Sequence, residues 1–159
     1  MRDMFKRIVL TILTVLCLVF IFTMSAAPSD ESEQMSLSAG AAVCRVFVPG
    51  YRTMSAAQQE RLARFIDHPV RKAAHMTEFG ITGLCMVTML AAWDVRMKQR
   101  VITALLFVCA YAGSDEFHQR FVPGRSGRIQ DVFIDCAGTL IGLGIYCLWQ
   151  HRRKSSPAL

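Results

Sequence analysis

Polar and apolar residues are sorted into long blocks rather than alternating along the chain. Ile8 to Met24 and Ile81 to Trp93 carry no charge. Val101 to Ser114 is likewise uncharged and runs directly into Asp115 and Glu116, while Val132 to Trp149 holds a single charge, Asp135. A helix crossing a bilayer core needs about 20 mostly apolar residues. The outer two blocks nearly meet that length alone. The middle two reach it only when neighbouring ionisable residues enter the membrane. The pattern predicts an all-α, polytopic membrane protein: a four-transmembrane-helix bundle forming one domain over residues 1–159. The expected spans are residues 8–26, 72–93, 101–120 and 129–150, with an outer loop over 27–71.

The first block has a rival reading. Arg2, Lys6 and Arg7, an apolar run and then Ser25-Ala26-Ala27 also resemble a secretory signal with its cleavage site. The run is long for such a signal, so an uncleaved anchor is expected.

Within the outer loop, Pro28 to Glu33 is polar and has no reason to fold alone, and Pro49-Gly50 marks a turn. Ser55 followed by Gln58 has the spacing of a capping box opening a helix over 56–66. On that helix Leu62, Phe65 and Ile66 share a face, which predicts an amphipathic helix lying on the outer leaflet or capping the bundle. Cys44 is the one cysteine in this loop, and the other five sit in apolar blocks as small hydrophobes.

Charge decides orientation. The 18 Lys and Arg outnumber 12 Asp and Glu, for a net charge of +6. Such a balance could suit nucleic acid, but the apolar blocks point to membrane lipid, and no nucleic-acid partner is expected. Lys and Arg collect in short cytoplasmic segments. Arg2, Lys6 and Arg7, then Arg96, Lys98 and Arg100, then Arg152, Arg153 and Lys154 are placed inside when both termini are cytoplasmic.

Alternating chain direction has a chemical consequence. The ionisable residues lie at the start of the second span, the end of the third and the start of the fourth, hence at one membrane face. Lys72, His75, Glu78 and Thr82 form one helical stripe; Tyr111, Asp115, His118 and Gln119 form another; Asp131, Asp135, Gly138 and Gly142 a third. A charge at mid-bilayer costs about 2.5–3.5 kcal/mol on insertion scales, so three polar stripes at one depth should turn toward each other. Asp115 and Glu116 sit at the negative end of their helix, where carboxylates need an offsetting charge. Arg120, Arg125, Arg128, His75 and His118 are candidates for it. Gly138 and Gly142 form G-x-x-x-G, a close-packing pattern between helices.

Three chemistries fit the cluster. Glu116 or Asp115 with His118 or His75 could act as acid and base. Arg125 and Arg128 could clamp a phosphate or carboxylate with their planar forks. The His and carboxylate set could ligate a metal, yet H-x-x-E and E-x-H form no single-metal signature, so neither metal nor cofactor is expected.

KAAHMTEF (Lys72 to Phe79) and SDEFHQRFVPGRSGRIQDVFIDCAGTLIG (Ser114 to Gly142) resemble the paired signatures of VanZ-like membrane proteins. The opening helix ending in Thr23-Met-Ser-Ala-Ala27 is similar to that family too. The motif positions carry over to His75, Glu78, Asp115, Glu116, His118, Gln119, Arg125, Asp131 and Asp135. The resemblance implies a multi-pass protein of the bacterial cytoplasmic membrane, whose founding relative is associated with teicoplanin resistance; it implies no particular reaction.

Taken together, the expectation is a polar site at the extracytoplasmic face. Lys72, Glu78, Gln119, Arg125, Arg128, Asp131 and Asp135 would bind a headgroup, a lipid-linked cell-wall precursor or a lipoglycopeptide. The alternative is an intramembrane hydrolase or transferase using Glu116 and His118 as acid and base, with His75 and Asp115 beside them. A proton- or cation-coupled carrier is disfavoured by the small number of helices.

Overall fold

A computed structural model describes residues 2–155. Among them every regular element is helical: α1 (Arg2–Ala26), α2 (Ser29–Phe47), α3 (Ala56–Ala92), α4 (Met97–Gln119) and α5 (Ile129–Ser155), with a short 3₁₀ turn at Tyr51–Thr53. Asp3–Ala26 and Ile129–Arg153 are each long and apolar enough to cross a membrane. α3 and α4 do not pass that test by composition, because polar groups run through the first half of α3 and stand at both ends of α4.

α3 is the hub and packs against all four other helices. α1 runs antiparallel to it. Arg7 near the start of α1 donates to the carbonyl of Ala92 at 2.9 Å and pairs with Asp94, just past the end of α3. Farther along, the Tyr111 hydroxyl of α4 donates to the Leu18 carbonyl at 2.8 Å. The core between α1, α3, α4 and α5 holds Ile21, Phe79, Val87, Val108, Ala112 and Leu143. Outside it, Ile8, Ile12 and Leu16 of α1, Leu106 of α4, and Ile141 and Leu148 of α5 are exposed. An apolar belt of this extent is unusual for a surface facing water.

The α3–α5 seam is the tightest. The backbone of Gly138 lies on the carbonyl of Met76 and that of Gly142 on the carbonyl of Gly80, leaving no room for a Cβ at either glycine. The G-x-x-x-G pattern thus serves packing.

Two expectations for the loop over 27–71 are corrected. The polar stretch from Ser29 to Glu33 is helical, being the first turn of α2. Asp30 and Glu31 complement the positive end of that helix. Ser32, Ser36, Gly40 and Cys44, four residues apart, form its buried face. The 56–66 helix is not a separate element either: α3 continues through Pro69 into the apolar block, unbroken from Ala56 to Ala92. Proline removes one hydrogen bond of the ladder, and contact with α2 on one side holds the helix together across it. Phe65 stays exposed, and Ala63 rather than a Leu62–Phe65–Ile66 face is buried. The capping box at Ser55 is formed, with Ser55 N donating to Gln58 Oε1 at 3.0 Å.

Candidate functional site

The three stripes converge. Position 72 onward of α3, the C-terminal turns of α4 and the first turns of α5 meet around a cavity of about 200 Å³. Lys72, His75, Glu116, Gln119, Arg125, Arg128, Asp131 and Asp135 line it, together with His68, Arg71 and Ser126.

The turn between α4 and α5 closes one wall. Gly124 sits at φ 73°, a left-handed conformation that other residues adopt only with strain. Gly127 lies so close to the Glu116 carbonyl that a Cβ would collide with it. That close approach delivers the Arg128 backbone N–H to Glu116 Oε2 at 2.8 Å. Glu116 Oε1 also accepts from the Gln119 amide at 3.3 Å.

Arg125 bridges this turn to α1. Its Nε donates to the Ala27 carbonyl and its Nη2 to the Met24 carbonyl, each at 2.9 Å. A guanidinium at a helix C-terminus satisfies orphan carbonyls and meets the negative end of the dipole. Burial, reinforced by the neighbouring positive charge of Arg71, holds the Arg125 pKa below its ordinary value.

Around the cavity the charges are partly matched. Lys72 pairs with Asp131. Arg71 reaches Asp67 Oδ2 and Ser36 Oγ, each at 3.4 Å. His75 Nδ1 stands 3.8 Å from Glu78 Oε2. Among the described residues, the Arg128 guanidinium has no hydrogen-bonding partner in the protein. Asp135 is 1% exposed, and neither carboxylate oxygen is hydrogen-bonded. A buried polar group left unsatisfied is costly, by about 1–3 kcal/mol and more when charged.

Not every expected residue faces this cavity. Asp115 lies behind it toward α1, where Oδ2 accepts from Ser25 Oγ at 2.7 Å and from Gln119 Nε2 at 3.0 Å. Glu78 borders an adjoining apolar cavity instead. His118 stacks on Phe22 of α1, ring centroids 4.9 Å apart. Two residues apart on a helix point about 200° from each other, so Glu116 and His118 are not brought together as an acid–base pair. No group of three or more His, Cys, Asp or Glu among the described residues is arranged to hold a metal ion.

Sequence reasoning missed His68, Arg71, Ser126 and Ser25. His68, Arg71 and His75 continue one helical stripe toward the N-terminus, a signal hidden by starting the second span at residue 72. Ser25, fully buried against Asp115, was visible only as a polar residue near the end of an apolar run.

A family model described as VanZ/LLP1 matches residues 10–150. No curated protein and no solved structure matches the chain.

Proposed function

The chain belongs to the VanZ/LLP1 family, and from that premise we propose that it acts in the bacterial cell envelope by binding the polar head of a lipid-linked ligand. In this reading α1, α4, α5 and the second part of α3 span the cytoplasmic membrane, both termini are cytoplasmic, and the cavity opens to the extracytoplasmic face. The apolar belt on α1, α4 and α5 supports the spans. The cluster of Arg and Lys at the opposite ends of the helices supports the orientation.

Asp135 carries the argument. It is a buried carboxyl with two unpartnered oxygens on the wall of a cavity that also presents Arg71, Lys72, Arg125 and Arg128. Such a wall asks for a ligand with two chemistries close together: an anionic group for the Arg128 fork and the surrounding positive charges, and a hydroxyl or amine to donate to Asp135. A phosphate joined to a sugar or polyol has both. Lipid headgroups and lipid-linked wall precursors belong to this class, and glycopeptide resistance of the teicoplanin type is an envelope phenotype that such binding could produce.

The test is lipid and wall-precursor profiling of cells with and without the protein. The profile should change, and Asp135→Asn and Arg128→Gln should each abolish the change while protein persists in the membrane. An identical profile in all strains would refute the proposal. Teicoplanin susceptibility measured in the same strains reads the phenotype separately: no difference would remove the resistance role alone.

A further inference from the structure

Two apolar cavities adjoin the polar one through shared lining residues. The first, about 160 Å³, shares Arg71, His75 and Arg125 with it and is walled by Met24, Met35, Ala39, Val70 and Ala74. The second, about 230 Å³, meets the first at Glu78 and is walled by Leu16, Phe20, Ile21, Ile81 and Thr82. Along α3 the bordering residues are Arg71, Ala74, His75, Glu78, Ile81 and Thr82, a single face at helical spacing. From Arg71 to Thr82, eleven steps of 1.5 Å make this path about 16 Å long. Opposite α3, the first cavity is walled by α2 (Ser32, Met35, Ser36 and Ala39) and Met24 of α1, and the second by α1 alone, from Ile21 to Leu16. Polarity therefore falls along this line, from guanidinium groups to hydrocarbon, with the Glu78 carboxyl between the two apolar cavities.

From this gradient we propose that the α1–α3 groove holds a hydrocarbon chain of a glycerophospholipid whose anionic, hydroxyl-bearing head occupies the polar cavity. The inference rests on the headgroup reading above and names the ligand class for it. Leu16, Phe20 and Ile81 are each about half exposed, so the far end of the groove opens sideways and a lipid can enter from the bilayer without leaving it. Glu78 argues for a glycerol-based lipid. It stands three residues, about 4.5 Å of helical rise, beyond His75, the depth at which a glycerol backbone lies between phosphate and chain; its ester oxygens only accept, and there the neutral carboxyl can donate to one of them. A ligand with hydrocarbon starting directly at the phosphate would instead set methylenes against that carboxyl.

The experiment uses the full chain, purified and placed in phosphatidylcholine vesicles. The probe is phosphatidylglycerol carrying a photoactivatable diazirine on one acyl chain, and cross-linked residues are mapped by mass spectrometry. Labelling is expected at Met24, Met35 and Ile81, and should fall about tenfold, the change for 1.4 kcal/mol of discrimination, when phosphatidylcholine carries the same chain. Ala74→Phe, which fills the groove, should remove this labelling and leave that of Leu140 and Ile145 on the outer belt unchanged. Should that variant fail to fold, Ala39→Phe fills the same cavity from α2 and is read in the same way. Equal labelling by both headgroups would overturn the proposal, as would groove labelling that survives the filled variants. Labelling confined to the outer belt would also overturn it, while a persisting change in the lipid profile would leave the headgroup reading standing.

Discussion

Adding one methyl group at either glycine of the α3–α5 seam tests the packing that holds the site together. At Gly138 a new Cβ would collide with the Met76 carbonyl, and at Gly142 with that of Gly80, whereas at Gly144 nothing lies within 4 Å. All three glycines are on α5, so the helix-propensity gain of Gly→Ala, about 1 kcal/mol, is common to them and cancels in comparison. What remains at the seam is overpacking, typically about 1–3 kcal/mol. The upper end applies because the obstructing atoms are backbone and cannot rotate away. Gly138→Ala and Gly142→Ala should therefore each be about 3 kcal/mol less stable than Gly144→Ala. Gly144→Ala itself should equal or exceed wild type. Unfolding of the purified protein in mixed micelles by increasing dodecyl sulfate, followed by circular dichroism, measures the difference. The site should respond as well, since Gly138 lies one turn beyond Asp135 and Met76 adjoins His75: prising the seam apart separates these walls. Three alanine variants agreeing within about 0.5 kcal/mol, the spread of neutral surface changes, would refute the reasoning.

Other outcomes follow from single contacts. Gly127→Ala should displace the turn from Glu116 and break the Arg128 N–H bond to it, lowering stability by about 1–3 kcal/mol and abolishing the change in lipid profile; an unchanged profile would show that the turn does not shape the cavity. Arg125→Lys keeps the charge but loses the fork that spans Met24 and Ala27, so a loss of about 2 kcal/mol is expected from the same unfolding assay. His118→Asn should leave the lipid profile intact where Asp135→Asn removes the change, because His118 faces Phe22; loss with both would return His118 to the site. Cys17 and Cys85 have their sulfurs 3.9 Å apart across α1 and α3. Mild oxidation with copper phenanthroline should join the peptides containing them, and their failure to cross-link would contradict the antiparallel α1–α3 pairing.

How much of this was legible in advance differs from residue to residue. The convergence of Lys72, His75, Glu116, Gln119, Asp131 and Asp135 follows from chain direction alone, since successive helices joined by short turns must return to the same end. Arg125 and Arg128 were recognisable as fork-bearing groups in that turn. Which face α4 presents was not recoverable. Asp115 and Glu116 are neighbours in sequence, yet about 100° of helical rotation turns one toward Ser25 and the other into the cavity. His118, on a stripe that looked continuous with Asp115, packs on an aromatic ring.

The sequence by itself determined the helical class, the apolar lengths of α1 and α5, the end at which the polar residues gather and the glycine seam, because each depends on periodicity, block length or residue size. Only the tertiary structure decided that α3 runs unbroken through Pro69, that α2 folds along it, and that apolar cavities lead away from the polar one. Those features arise where residues far apart in the chain touch: a small-residue face finds a partner, a proline is carried by its neighbour, and a groove exists only between two helices.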